Sequence, residues 1–164
     1  EAIPQHIDVE WSGYRSWIFS ELTMNYTKLM LGNLARPGAS SDSILIHCIS
    51  GWDRTPVFVA LMGFLAWAET LDGQRVSFPS LSATDIVYLT ISYHFLLYRH
   101  RLKNRLSKRE DIFFFCFWML EMVANDDECS FSFQRDGVRP GPERKQRLLE
   151  ARDIFLRCWK GEKK

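Results

Sequence analysis

Ile44-Leu45-Ile46-His47-Cys48-Ile49-Ser50-Gly51-Trp52-Asp53-Arg54-Thr55 is the stretch on which the reading of this chain turns. The run Ile44-Leu45-Ile46 is continuously apolar, the mark of a strand buried on both faces. From Val57 to Ala68 the apolar residues recur at helical spacing. The sequence therefore predicts a strand, a short loop and a helix. A cysteine and an arginine separated by five residues stand on that turn.

These are the parts of a phosphate-cleaving site. A thiol is a weak nucleophile until it ionises, and a helix N-terminus and a guanidinium both favour the thiolate. The loop that opens a helix offers orphan N–H donors to an anion. Gly51 admits backbone angles that other residues resist. Arg54 is planar and always charged, so it can hold two phosphate oxygens at once. Attack by Cys48 gives a phosphocysteine and divides one difficult step into two. Asp53 is placed to protonate the oxygen that leaves. Thr55 can bond the sulfur or the water of the second step.

Spacing alone is a weak signal, since Cys129 and Arg135 share it. That second match has no glycine, no apolar run before it and no helix after it. Asn125-Asp126-Asp127-Glu128 beside it repels phosphate. Only the Cys48 match has the full setting.

Composition sets the frame. A chain of 164 residues is one domain or part of one. The hydrophobic fraction of 46% and aromatic fraction of 14% imply a packed core and exclude a disordered chain. A net charge of +1 gives no general attraction to nucleic acid, so anion binding must be local. The irregular spacing of Cys48, Cys116, Cys129 and Cys158 fits neither a zinc pattern nor a small disulfide scaffold. No metal ligand set is expected. A catalytic thiolate suits a reducing compartment, and the start has no signal-peptide pattern, so a cytoplasmic setting is expected. Val57 to Ala68 and Ile112 to Leu120 are too short for a bilayer span of about 20 residues.

The remainder reads as helix. Tyr14 to about Leu34 carries apolar residues at helical spacing, and Arg36-Pro37-Gly38 ends it. A helix is expected from Arg54 to Leu71, closed by Asp72-Gly73. Ser82 with Asp85, and Ser107 with Glu110, each resemble a capping box, opening helices to about Tyr98 and Val123. Pro142 opens a last helix to about Trp159. Residues 126–141 form a polar linker with a possible short strand at Phe131 to Phe133, and mark where a long loop can have been removed. A single strand makes no sheet. The expected fold class is α/β, with residues 1–164 as one catalytic domain: its mostly helical C-terminal part, with partner strands elsewhere.

The segment His47 to Thr55 resembles the active-site loop of the myotubularin-related phosphatases, which read Cys-Ser-Asp-Gly-Trp-Asp-Arg-Thr. The Gly-Trp-Asp-Arg-Thr core carries the likeness. Tyr88-Leu89-Thr90, Arg105-Leu106-Ser107-Lys108 and Ile112-Phe113-Phe114-Phe115-Cys116-Phe117 are similar to a divergent member. The resemblance is clear from about Ile44 to Met122. It implies a cysteine-dependent phosphatase fold and removal of the 3-phosphate from phosphatidylinositol 3-phosphate and phosphatidylinositol 3,5-bisphosphate, with no metal or organic cofactor. By resemblance, Cys48 matches the nucleophile, Arg54 the phosphate-binding arginine and Asp53 the general acid. Ile49, Ser50, Gly51 and Trp52 match the phosphate cradle. Ser50 departs from the pattern, because most members have a second aspartate there.

Tyr98 to Arg105 resembles the family's Phe-Gly-His-Arg/Lys-Phe-x-x-Arg stretch, whose two cations lie near a second phosphate. They map to Arg101 and Arg105, which share one helix face at i and i+4. A solvated basic helix end is the other reading. Trp52 is read either as an inositol contact or as a structural wedge. His47 is read as a satisfied core group rather than an aid to the thiolate. The Phe113 to Trp118 run is read as core, and Cys116 and Cys158 as buried apolar residues. The expected partners are a phosphoinositide headgroup and, peripherally, a membrane surface. A protein tyrosine or dual-specificity phosphatase, and an inactive phosphoinositide-binding or scaffold module, stand as alternatives.

Overall fold

The computed structural model describes residues 9, 11–34, 43–69, 81–96, 99–110, 112–126 and 141–161. A 3₁₀ turn at Trp11–Ser16 leads into α1 (Phe19–Leu34). The later helices are α2 (Arg54–Glu69), α3 (Ala83–Leu89), α4 (Arg99–Ser107), α5 (Ile112–Ala124) and α6 (Pro142–Gly161). A π-helical segment, Thr90–Phe95, continues directly from α3.

The hub is α2. Its sequence is apolar on every side, and such a helix must be enclosed. Val57, Leu61, Phe64, Leu65 and Trp67 are all buried. α1, α5 and α6 pack against it, and α3 and α5 pack on α6. Aromatic rings fill the seam. Phe117 of α5 stacks on Phe155 of α6 with centroids 3.9 Å apart, and Phe64 meets Phe117 edge-on at 5.5 Å. Phe95 stacks on Phe113 at 4.4 Å.

Polar ties hold the far end of α2. Trp67 Nε1 donates to the Leu81 carbonyl at 2.9 Å, which satisfies an indole that is otherwise enclosed. Arg144, in the first turn of α6, donates to Glu69 at 2.8 Å, and both side chains are only 5% exposed. Arg147 covers the Trp67 ring at 4.4 Å.

Several expected elements form as read. Ser82 and Asp85 make a reciprocal capping box at the start of α3. Pro142 is the first residue of α6. The first long helix begins later than expected, at Phe19, where the Ile18 N–H bonds the Glu21 carboxylate. The helix expected from Ser82 is interrupted by the π segment, and beyond it residues 97–98 lie outside the described set.

The expected strand is not formed. Among the described residues there is no strand, and Ile44 to Cys48 has no regular structure. Leu45 is 85% exposed, the opposite of burial on both faces. Apolar character favours a strand, but a strand also needs a neighbour for its N–H and C=O groups. The fold of the described residues is therefore helical rather than α/β.

The Ser107–Glu110 capping box is also absent. Ser107 is the last residue of α4, and its hydroxyl bonds back to the Asn104 carbonyl. α4 ends in a Schellman turn. Arg109 takes φ 60°, its N–H bonds Leu106 O, and the Glu110 N–H bonds Arg105 O. Cys116 is buried as expected, whereas Cys158 is exposed. His47 is exposed rather than a core group. Within the aromatic run Phe113 and Phe117 are core, while Phe114 and Trp118 reach the surface. The second cysteine–arginine pair, the closing Asp72-Gly73 and the possible strand at Phe131 to Phe133 lie outside the described residues.

Candidate active site

Residues 48–53 form an irregular loop that ends at the N-terminus of α2. Gly51 sits at φ 72°, in the left-handed region where a β-carbon is strained. That turn brings the Gly51 N–H to 3.1 Å from Cys48 Sγ. Partial burial pushes the Cys48 thiol up, but polar groups outweigh it. The Thr55 hydroxyl and the N–H groups of Thr55, Gly51 and Ser50 lower it from 9.0 to about 6. Of these, Gly51 makes the well-formed hydrogen bond. The Thr55 hydroxyl is buried without a partner of good geometry, so its influence on the sulfur is electrostatic. Cys116 provides the contrast, since full burial pushes its thiol up to about 12.

Cys48 opens on a cavity of about 550 Å³. Arg54, Thr55, His47 and Ile49 line it at the loop, and Leu22, Tyr26 and Met30 of α1 form an apolar wall. Among the described residues, no hydrogen bond or ion pair engages the Arg54 guanidinium, so it remains available to an anion. Arg54 also lines a second cavity of about 250 Å³ with Asp53, Glu110, Phe19 and Phe115.

Asp53 turns toward α4. Arg105 donates to both of its oxygens, at 2.6 and 3.3 Å, and Arg101 adds a third bond at 3.2 Å. Partial burial would raise the carboxyl, but these hydrogen bonds and the two positive charges hold it below the ordinary carboxylate range. The same contacts, with an ion pair to Glu110, raise Arg105. Asp53 is thus a carboxylate in this state.

The structure therefore gathers Ser50, Gly51 and Thr55 around the Cys48 sulfur, with Arg54 lining the same cavity, and Asp53, Arg101 and Arg105 into one ion-pair cluster. Arg101 and Arg105 do share a face, yet they grip a side chain of the loop itself. Trp52 is 42% exposed and stands edge-on to His100 at 5.0 Å, with the Arg101 guanidinium 6.0 Å from its ring. It wedges the loop against α4. Ile49 is 98% exposed, so its contribution to a cradle is through backbone. Glu110 was read as a cap and is instead the second carboxylate on Arg105. Its position follows from the Arg109 turn, a left-handed residue that sequence spacing does not disclose. Among the described residues no group of three or more potential ligands could hold a metal ion. Nor is any described helix long and apolar enough to cross a membrane.

The chain is similar to two curated proteins, both named phosphatidylinositol-3,5-bisphosphate 3-phosphatase MTMR14. The mouse (Mus musculus) protein is 42% identical over 127 residues, covering 77% of this chain and 18% of that protein. The human (Homo sapiens) protein is 41% identical over 130 residues, covering 79% of this chain and 19% of that protein. The chain thus spans about a fifth of the length of the relatives it matches. No family model and no solved structure matches it.

Proposed function

This chain is related by sequence to the myotubularin-related phosphatases, and from that premise we propose that it is the catalytic segment of a phosphoinositide 3-phosphatase. The substrates are phosphatidylinositol 3-phosphate and phosphatidylinositol 3,5-bisphosphate. The observation that carries the reading is the Cys48 thiol, lowered to about 6 and sharing its cavity with Arg54 at a helix N-terminus.

The mechanism follows from those groups. At neutral pH Cys48 is a thiolate. The N–H groups of the loop and the Arg54 guanidinium hold the 3-phosphate oxygens and stabilise the charge that builds on them. Sulfur attacks phosphorus, the bond from phosphorus to the inositol oxygen breaks, and that oxygen takes a proton from Asp53 once the carboxylate has left its arginines and bound a proton from solvent. Water then hydrolyses the phosphocysteine, with Thr55 beside the sulfur, and the thiolate is restored. The chemistry invokes no metal or organic cofactor.

The setting belongs to the same proposal. The activated thiolate fits the reducing cytoplasm, with peripheral attachment to the membrane that holds the substrate. The apolar run at Ile44 to Ile46 is read as a strand that pairs only when the rest of a larger α/β domain is present.

The test is phosphate release by the intact protein from short-chain forms of both lipids and from a phosphotyrosine peptide, with Cys48→Ser as control. Faster release from the two lipids, lost in the control, is the expected result. Preference for the peptide moves the assignment to a tyrosine phosphatase. Absence of release from folded protein leaves a phosphoinositide-binding module.

A further inference from the structure

Asp53 has been assigned to give a proton, yet it is bound so as to have none. Three hydrogen bonds from Arg101 and Arg105 terminate on its two oxygens. Its side chain is 18% exposed, so water screens them only in part. It also lines the cavity beyond Arg54 rather than the one onto which Cys48 opens. In this state the nucleophile is ready and the acid is not.

The ion-paired groups balance in charge, with Arg54 facing the same cavity. Arg101 and Arg105 bring two positive charges, and Asp53 and Glu110 bring two negative ones. A phosphate cannot be added to such a set without cost unless a carboxylate yields. Arg101 is nonetheless under-used: its Nε is buried and has no hydrogen-bond partner among the described residues. A phosphate has more acceptor oxygens than a carboxylate and carries more charge, so it suits two guanidiniums on one helix face better than Asp53 does.

Resting on the phosphatase reading above, we propose that Arg101 and Arg105 form a gate on the acid, one that a second phosphate on the inositol ring opens by taking both guanidiniums from Asp53. Released beside two phosphates and a thiolate, the carboxylate binds a proton from solvent. It then passes that proton to the inositol oxygen as the phosphorus–oxygen bond breaks and the sulfur–phosphorus bond forms, and returns to the arginines when product departs. A ring with only the 3-phosphate leaves the gate mostly shut, so Asp53 protonates its leaving oxygen only in the minority of molecules whose arginines have let go, and its cleavage is slower. Asp53 is then the residue through which the enzyme distinguishes a bisphosphate from a monophosphate. The groups facing it are Arg101 and Arg105 of α4, Glu110 through Arg105, and Arg54 of α2.

The gate predicts a proton count. In intact Cys48→Ser protein, which cannot turn over, calorimetric titration in buffers of different ionisation enthalpy gives the protons taken up on binding. The probes are inositol 1,3-bisphosphate and inositol 1,3,5-trisphosphate. The expected result is about one more proton taken up with the trisphosphate, and loss of that difference when Asp53→Asn is added. Equal uptake with both probes, or a difference that survives Asp53→Asn, overturns the gate, as does failure of the trisphosphate to bind more tightly than the bisphosphate. The companion measurement is phosphate release by the wild-type protein. No release removes the phosphatase reading, while the proton count still decides the gate on binding alone.

Discussion

The Gly51 N–H donates to Cys48 Sγ from 3.1 Å, and the Gly51 backbone stands at φ 72°. The positive φ and the activated sulfur are thus one feature. Among the described residues, nothing beyond the two chain neighbours lies within 4 Å of where a Gly51 β-carbon would sit, so a substitution is opposed by backbone angle. Gly51→Ala should therefore cost about 1 kcal/mol in stability and a larger share of activity. Alkylation of Cys48 against pH gives the check. The wild-type midpoint should lie near 6, and the variant's nearer the ordinary 9.0. Cys116 should stay unlabelled in folded protein.

The same thiol makes stability depend on pH, with a definite sign. Its folded value is below its unfolded value, so the thiolate favours the folded state. That contribution is complete above about 9.0 and is lost as pH falls through about 6. Urea unfolding of wild type and Cys48→Ser across this range should show wild type gaining on the variant as pH rises. A constant difference would remove the activated thiolate.

Arg101→Ala with Arg105→Ala should weaken binding and turnover of the bisphosphate more than of the monophosphate. A charged hydrogen bond to phosphate contributes about 1.5–3 kcal/mol, so the bisphosphate should lose at least about tenfold more. Equal losses on both lipids would show that the two arginines serve only the loop.

Glu69→Ala should destabilise the fold by about 3–5 kcal/mol, because Arg144 is left charged and enclosed at the other end of the pair. Glu69→Leu with Arg144→Met should recover most of the loss, as two apolar side chains of similar size fill the space. Chemical denaturation of the three proteins measures both effects.

The helices were legible because their signals are local. Ser82 and Asp85 make their cap within one turn, Pro142 sits where a helix begins, and the apolar faces of α2 and α5 lie within single segments. The loop was legible for the same reason. What lay hidden involves residues far apart or conformations not encoded by type. Asp53 and its two arginines are separated by 48 and 52 positions, and nothing in either segment announces the pairing. Arg109 takes a left-handed turn usually given to glycine, so the end of α4 and the place of Glu110 were concealed. Ile44 to Ile46 has the composition of a strand, but pairing is a property of two segments.

α2 is fastened differently at its two ends. Around Glu69 and Trp67 the fastenings are enclosed among α3 and α6, where salt and pH reach them poorly. At Arg54 the adjoining loop is tied to α4 by charges that are 18–33% exposed and by the edge of one tryptophan. Ionic strength therefore acts on one end alone. Raising it loosens the loop before it troubles the enclosed end of the helix, so a loss of activity in salt need not signal unfolding.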